Sequence, residues 1–159
     1  MQLSLQTRWE DFMKFVHLSA AAVLIGGAAG FMWPAHAASL PMDQAITVNG
    51  IETACTGIGD AEQTNPLWKE YPVRIEFSNG GAQYLAGAHV TLSQDSRPLA
   101  SFECSGSWVL FKNLKAGATY KVAATITDQP GAGEKTVSIK PPKSGQQRFV
   151  IQFPVASGQ

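Results

Sequence analysis

Residues 73–81, with the sequence VRIEFSNGG, decide the fold class of this chain. Val73, Ile75 and Phe77 alternate with polar or charged residues, and an Asn-Gly-Gly turn sequence follows them directly. Alternation of apolar and polar side chains is the pattern of a strand that buries one face, and Gly supplies the backbone angles of tight turns. The stretch therefore predicts a half-buried β-strand that ends in a turn.

The same alternation recurs along the chain and predicts an all-β domain. The further predicted strands, the last two of them weaker, cover residues 88–93, 120–127, 136–140, 148–153, 46–51 and 108–111. The segment 108–111 (WVLF) is apolar on both faces, which predicts a strand at the centre of a sheet. Turn sequences rich in Gly and Pro separate these segments. We therefore expect an antiparallel β-sandwich of seven strands.

The first 37 residues have the organisation of a secretory leader. A segment with basic residues precedes an apolar run over residues 15–33, and Ala35-His36-Ala37 offers the small-x-small pattern of signal peptidase sites. We predict cleavage between Ala37 and Ala38, and hence a periplasmic or secreted mature chain that is not bound to the membrane. The alternative is an uncleaved membrane anchor, because a run of about 20 apolar residues spans a bilayer.

The chain after the leader has the length of one domain. We expect residues 38–70 to form an N-terminal strand and a long loop tied by a disulfide. Residues 71–155 are expected to form the sandwich core of the same domain, and residues 156–159 a disordered tail. Within the long loop, residues 57–68, one short helical turn is expected at residues 60–62.

The charge of the chain narrows the class of partner. The formal net charge is +0 at pH 7, and basic residues do not form a run or a stripe. Binding to nucleic acid needs clustered Lys and Arg that neutralise phosphates, and an anionic membrane surface makes a similar demand. We therefore expect no nucleic-acid partner and no attachment to a membrane surface.

Cys55 and Cys104 are the 2 cysteines of the chain. In an exported protein an even pair of cysteines predicts a disulfide, here one that closes a loop of about 50 residues. The alternative is a catalytic thiol that uses His89 as its base, but no sequence signature surrounds this histidine. A zinc site needs three or four ligands, which His89, the one histidine after the predicted leader, and two oxidised cysteines do not supply. We therefore predict no catalytic residue, no metal and no cofactor.

The long loop carries the side chains that we single out for binding. Asp60, Glu62 and Asn65 lie within this loop, and Trp68 ends it. Long loops in small domains are often functional, and an exposed tryptophan offers a platform for a sugar or a protein partner. The alternative is that the acids are solvated and that Trp68 packs over one end of the sandwich. The acids lack the ligand spacing of an EF-hand.

Two stretches carry a family resemblance: residues 85–92 (LAGAHVTL) and 111–122 (FKNLKAGATYKV). The first resembles a strand, and the second a hairpin, of carboxypeptidase regulatory-like domains, and the likeness spans residues 71–153. The resemblance implies a transthyretin-like, prealbumin-type sandwich, close in kind to the immunoglobulin-like sandwiches, and a module rather than a reaction. Residues 46–68, which include Cys55, have no counterpart in the family pattern.

These observations together predict an exported, non-enzymatic β-sandwich module that acts in protein interaction or envelope structure. Its expected partner is an envelope protein. The alternative is a periplasmic sandwich domain that binds a carbohydrate or another small ligand through loop aromatics. An enzyme is a third possibility, and it would need a free thiol or a metal.

Overall fold

The computed structural model describes residues 38–155. The predicted leader, residues 1–37, and the predicted tail, residues 156–159, lie outside the described part. Ten strands and two short α-helices follow one another along the chain, with one 3-10 helix at Pro130–Ala132. The strands are β1 (Ala38–Ser39), β2 (Ala45–Val48), β3 (Ile51–Thr56), β4 (Val73–Asn79), β5 (Ala88–Gln94), β6 (Arg97–Cys104), β7 (Trp108–Lys112), β8 (Tyr120–Ile126), β9 (Lys135–Ile139) and β10 (Gln147–Phe153). The α-helices are α1 (Asp60–Thr64) and α2 (Pro66–Lys69).

The strands form two sheets of five, which confirms the all-β sandwich. Sheet 1 has the order β1-β6-β5-β8-β9, and sheet 2 has the order β10-β4-β7-β3-β2. The apolar strand β7 lies at the centre of sheet 2, as its sequence predicts, and all but one of its residues are buried. Both faces of such a strand are covered, which is why its apolar residues do not alternate with polar ones.

The predicted number of seven strands is wrong, because two turns and the two-residue strand β1 were not predicted. Residues 46–51, expected to form one strand, divide between β2 and β3 at Asn49 and Gly50, whose φ angles are 50° and 80°. A second pair with positive φ, Asp95 and Ser96, turns β5 into the unpredicted strand β6. Two consecutive residues with positive φ form the turn that suits the twist of a β-hairpin.

The expectation of a purely antiparallel sandwich is also wrong. The edge strand β10 pairs with β4 in parallel over its whole length, and the two-residue strand β1 pairs with β6 in parallel. The other pairs are antiparallel. Parallel neighbours need a crossover between sheets, so this pairing depends on contacts between distant segments and not on a local turn.

The core lies between the two sheets and includes the predicted disulfide. Val73, Ile75 and Phe77 are fully buried, as their alternation predicts. Cys55 on β3 and Cys104 on β6 are joined by a disulfide with Cα atoms 5.5 Å apart, so the bond links sheet 2 to sheet 1. No helix within residues 38–155 combines the length and the hydropathy of a membrane span.

Candidate functional site

The predicted loop folds into α1 and α2, and these helices place its side chains. Asn65 ends α1, and its side-chain oxygen accepts a hydrogen bond of 3.0 Å from the backbone N–H of Leu67. Asn65 is therefore the N-cap of α2, and Pro66 at the first helical position suits the same role. Asp60 and Glu62 lie in the first turn of α1, with Asp60 exposed and Glu62 half-buried.

Trp68 is buried, which favours the alternative that it packs against the sandwich over the prediction of an exposed platform. Its side chain is 6% exposed and packs with Ala54, Tyr71 and Leu110 in a small apolar cluster. The centres of the Trp68 and Tyr71 rings are 5.9 Å apart, and both side chains pack against Ala54 of β3 and Leu110 of β7, which holds α2 onto sheet 2. Trp68 therefore serves to anchor α2, and its ring face is not free to stack on a sugar.

A cavity of about 190 Å³ opens beside this anchor. Its walls come from α2 with the two residues that follow Lys69, from β2, β3 and β7, and from the segment before β2. The lining residues are Asp43, Ala45, Glu52, Leu67, Trp68, Glu70, Tyr71 and Lys112. Of the residues predicted for binding, only Trp68 belongs to this set, whereas Asp60, Glu62 and Asn65 lie outside it.

One side of the cavity holds a polar network. The Tyr71 hydroxyl donates a 2.7 Å hydrogen bond to Glu52 Oε1. Burial, together with the hydrogen bond and the negative charge of Glu52, raises the pKa of the Tyr71 phenol above its ordinary value. The phenol therefore stays protonated at neutral pH and acts as a donor.

Lys112 lies among the carboxylates of this network. Its Nζ is 3.2 Å from Glu70 Oε2 and 4.0 Å from Glu52 Oε1, and it lies 5.6 Å from the centre of the Tyr71 ring. Glu52 and Lys112 are direct cross-strand partners on β3 and β7. The cavity thus contains three carboxylates, those of Asp43, Glu52 and Glu70, against one ammonium group.

The indole N–H of Trp68 is a hydrogen-bond donor without an acceptor. Its indole Nε1–H is buried, and no atom of the described chain accepts a hydrogen bond from it. A buried donor without a partner is unfavourable by about 1–3 kcal/mol, so such groups are rare unless a ligand or water satisfies them. The nitrogen itself has almost no accessible surface, so it does not face the cavity opening.

Sequence reasoning missed Asp43, Glu52, Glu70 and Lys112, because they come from separate segments. Glu52 is separated from Lys112 by 60 positions in the chain, and only the pairing of β3 with β7 brings the two together. No local motif joins them. The opposite charges of Glu52 and Lys112 were the one usable signal. Pairing these two residues from the sequence would have required knowledge of the strand register.

A second polar cluster surrounds Glu76, which is 1% exposed on β4. Arg148 Nη2 on the parallel strand β10 lies 2.7 Å from Glu76 Oε2, and Arg74 Nε lies 2.9 Å from Oε1. The second contact is an ion pair without hydrogen-bond alignment. The Arg74 guanidinium also stacks 4.5 Å from the centre of the Trp108 ring. This cluster fastens the edge strand β10 to β4, which is a structural role.

A third cluster lies on the polar face of β5 and β6. His89 Nδ1 is 2.8 Å from Glu103 Oε1, and His89 Nε2 is 3.2 Å from Ser101 Oγ. The series Ser101, His89 and Glu103 resembles the nucleophile, base and orienting acid of a catalytic triad. Acyl transfer, however, also needs free N–H groups that bind the oxyanion. The N–H groups of β5 are used in ladders with β6 and β8 on either side, so β5 itself offers none to an oxyanion. The disulfide likewise leaves neither cysteine as a thiolate nucleophile for His89.

No protein-family model and no curated protein matches this chain. A fold by itself does not establish a function, because sandwiches of similar architecture carry unrelated activities. The cavity, with its lining residues and their charges, is therefore the feature of this chain that bears on its function.

Proposed function

We propose that the protein is an exported, non-enzymatic β-sandwich module that docks onto an envelope protein through the surface around the cavity. The observation that carries the proposal is the cavity itself, with its excess of carboxylates and its exposed rim residue Leu67. Leu67 is 57% exposed, although it is a large apolar residue on the short helix that forms one wall. Burying such a side chain against a partner is favourable, by about 25 cal/mol for each Å² of apolar surface removed from water.

The size of the cavity favours a single anchoring side chain. Pockets for whole small molecules typically measure about 300–1,000 Å³. A cavity of about 150 Å³ accommodates one benzene ring, so 190 Å³ accommodates one side chain or one small ring. Protein interfaces concentrate their affinity in a few anchors that fill such depressions. This comparison supports a protein partner over a larger ligand.

Export is proposed from two independent features. The leader pattern of residues 1–37 supports cleavage between Ala37 and Ala38, and the buried Cys55–Cys104 disulfide fits an oxidising compartment such as the periplasm. Neither feature depends on the other. The proposal therefore places the module in the periplasm or outside the cell.

A carboxypeptidase regulatory-like, transthyretin-like assignment of the sandwich belongs to the same proposal. It is supported by the hairpin at residues 111–122, in which Gly117 has a φ of 76° and Tyr120 begins β8 as a buried residue. The Tyr120 hydroxyl accepts a 3.0 Å hydrogen bond from the backbone N–H of Lys115, across the turn. These contacts account physically for the Gly and Tyr positions of the motif.

A small polar ligand is the second candidate, and the exposed carboxylate of Glu70 favours it. A sugar hydroxyl donates hydrogen bonds to such carboxylates. Because the Trp68 ring is buried, this candidate would rely on hydrogen bonds and not on stacking. A panel of monosaccharides in a thermal-shift assay separates the candidates, since a ligand of the native state raises Tm.

The docking surface is tested by photo-crosslinking in cells that export the full chain. A photoreactive amino acid replaces Leu67 in one variant and, as the matched control, Val150 on β10 in another, because both side chains are exposed. We expect one discrete adduct from position 67 that is absent from position 150. No adduct at position 67, or the same adducts at both positions, would contradict docking through this surface.

Export is tested separately by the intact mass of the same protein. We expect a species that begins at Ala38 and is lighter than its reduced form by two hydrogen atoms. A full-length species would instead support the uncleaved membrane anchor, and two reactive thiols would contradict the disulfide.

A further inference from the structure

Met42 lies over the buried disulfide and is itself open to solvent. Its Sδ atom is 3.6 Å from Cys55 Sγ, and its backbone forms an isolated β-bridge with that of Cys55. The two cysteines are 0% and 1% exposed, whereas Met42 is 39% exposed. On this side of Cys55, the Met42 side chain is therefore the layer between the disulfide and water.

Close contacts hold Met42 in this position. The N–H of the next residue, Asp43, donates a 2.8 Å hydrogen bond to the Cys55 carbonyl, and the Asp43 carboxylate accepts one of 2.6 Å from the Thr56 hydroxyl. Gly106 lies so near the Met42 methyl group that a Cβ added to it would be 3.2 Å away. The Met42 side chain thus has little room for a further atom where it meets Gly106 and Cys55.

Met42 is also the oxidisable sulfur of this region. It is the one methionine after the predicted leader. Cys55 and Cys104 are joined to each other, so neither offers a thiolate to an oxidant. A thioether needs no deprotonation, and an exposed methionine is a common target of oxidants. The fold thus places a reactive, exposed side chain directly against the bond that links its two sheets.

We propose that Met42 is a modification site for hydrogen peroxide, and that its oxidation to the sulfoxide uncovers the Cys55–Cys104 disulfide. A lone pair of the Met42 sulfur attacks one peroxide oxygen, so that an S–O bond forms and the O–O bond breaks. The transferred oxygen gives its proton to the departing hydroxide, which leaves as water. Sulfur is oxidised by two electrons and the peroxide is reduced by two. This inference does not depend on docking through the cavity.

The sulfoxide fits the position of the thioether poorly. Oxidation converts an apolar side chain into a polar one, whose oxygen needs a hydrogen-bond donor. The N–H of Gly106 is already directed at Cys55 Sγ, at 3.2 Å, and the N–H of Asp43 is bonded to the Cys55 carbonyl. Water supplies the donor when the side chain turns outward, and Cys55 is then uncovered. Because a thiolate must reach a sulfur atom of the disulfide to reduce it, we expect faster reduction.

The first test is peroxide treatment of the protein purified from cells that export the full chain, with peptide mass spectrometry to locate added oxygen. We expect one oxygen atom on Met42 while the disulfide remains intact. The matched control is the Met42→Leu/Leu92→Met protein, in which the methionine is moved to a fully buried position of the core. Exchanges between leucine and methionine nearly conserve volume and are well tolerated. The control should resist oxidation, and equal oxidation of the two proteins, or none of Met42, would overturn the proposal.

The second test is the rate at which dithiothreitol reduces the disulfide, followed by alkylation of the released thiols. After peroxide treatment this rate should rise roughly fivefold or more, the factor that corresponds to a buried polar group without a partner. The Met42→Leu protein keeps an apolar cover over Cys55, so peroxide should leave its rate unchanged. Met42→Gln places a polar side chain of similar length at this position and should speed reduction without peroxide.

Two results of the second test would contradict the uncovering of the disulfide. An unchanged rate of reduction after complete oxidation of Met42 would overturn it. An equal acceleration of the Met42→Leu protein by peroxide would show that the oxidant acts elsewhere in the chain.

Discussion

The disulfide between Cys55 and Cys104 should supply a large share of the stability of this sandwich. It links β3 of sheet 2 to β6 of sheet 1 across 49 positions of sequence. In the chain-entropy model, a closed loop of this length restricts the unfolded chain enough to stabilise the fold by about 4 kcal/mol. That is a substantial part of the roughly 5–15 kcal/mol by which domains are stable.

The stabilisation of about 4 kcal/mol by the disulfide also predicts how far the melting temperature should fall on reduction. Unfolding entropy is about 2.1 cal/mol/K per residue, so a domain the size of residues 38–155 should lose roughly 15 °C when the disulfide opens. The reduced protein is the right comparison, because it keeps both sulfur atoms in the core. An alanine pair would add the loss of packing to the loss of the cross-link.

The assay is urea unfolding of the oxidised and reduced protein, followed by tryptophan fluorescence. We expect a lower midpoint after reduction and a larger m-value, because the unfolded chain without the cross-link exposes more surface. The Cys55→Ala/Cys104→Ala protein, measured with and without reductant, should not respond and is the control. A difference below about 1 kcal/mol between the oxidised and reduced protein would refute the entropic argument.

Three further predictions follow from named contacts. Gly106→Ala should destabilise the fold by about 1–3 kcal/mol in urea unfolding, because a Cβ at this position would meet the backbone carbonyl of Thr56. Gly131→Ala, where nothing lies within 4 Å, should be nearly neutral. In the same assay Glu76→Gln should lower the free energy of unfolding by about 1.5–2 kcal/mol, since it removes the charge-assisted contact with Arg148 while both arginines remain partly exposed to solvent. Because unfolded Tyr71 loses its proton above about pH 10 while the folded phenol keeps it, stability should fall with rising pH there. The Tyr71→Phe protein should show a shallower fall in the same denaturation series, and an unchanged slope would argue against a raised pKa.

Local patterns predicted most of the strands, because each pattern acts through its own residues. The alternation of Val73, Ile75 and Phe77 was enough to identify β4, and the doubly apolar β7 was enough to place it at a sheet centre. The strand β6 was missed although Ala100, Phe102 and Cys104 are buried in alternation with Ser101 and Glu103. The turn residues Asp95 and Ser96, which have unusual positive φ, gave no strong turn signal.

The candidate site could not be predicted in the same way. Asp60, Glu62 and Asn65 looked suitable for binding because they are polar residues in a long loop, but Asn65 caps α2 and the two acids lie on α1. The sequence left open whether Trp68 is exposed or packs over one end of the sandwich. Its burial depends on Ala54 and Leu110, which sheet 2 places beneath α2.

The sequence by itself determined the β-rich class, the central strand and the pairing of Cys55 with Cys104. Each of these depends on residue type and short-range order, and with only two cysteines the disulfide has one possible connectivity. The tertiary structure alone decided that β10 pairs in parallel with β4 and that Glu52, Glu70 and Lys112 meet in one cavity. These features follow from the register and packing of segments far apart in the chain, which local physical preferences do not encode.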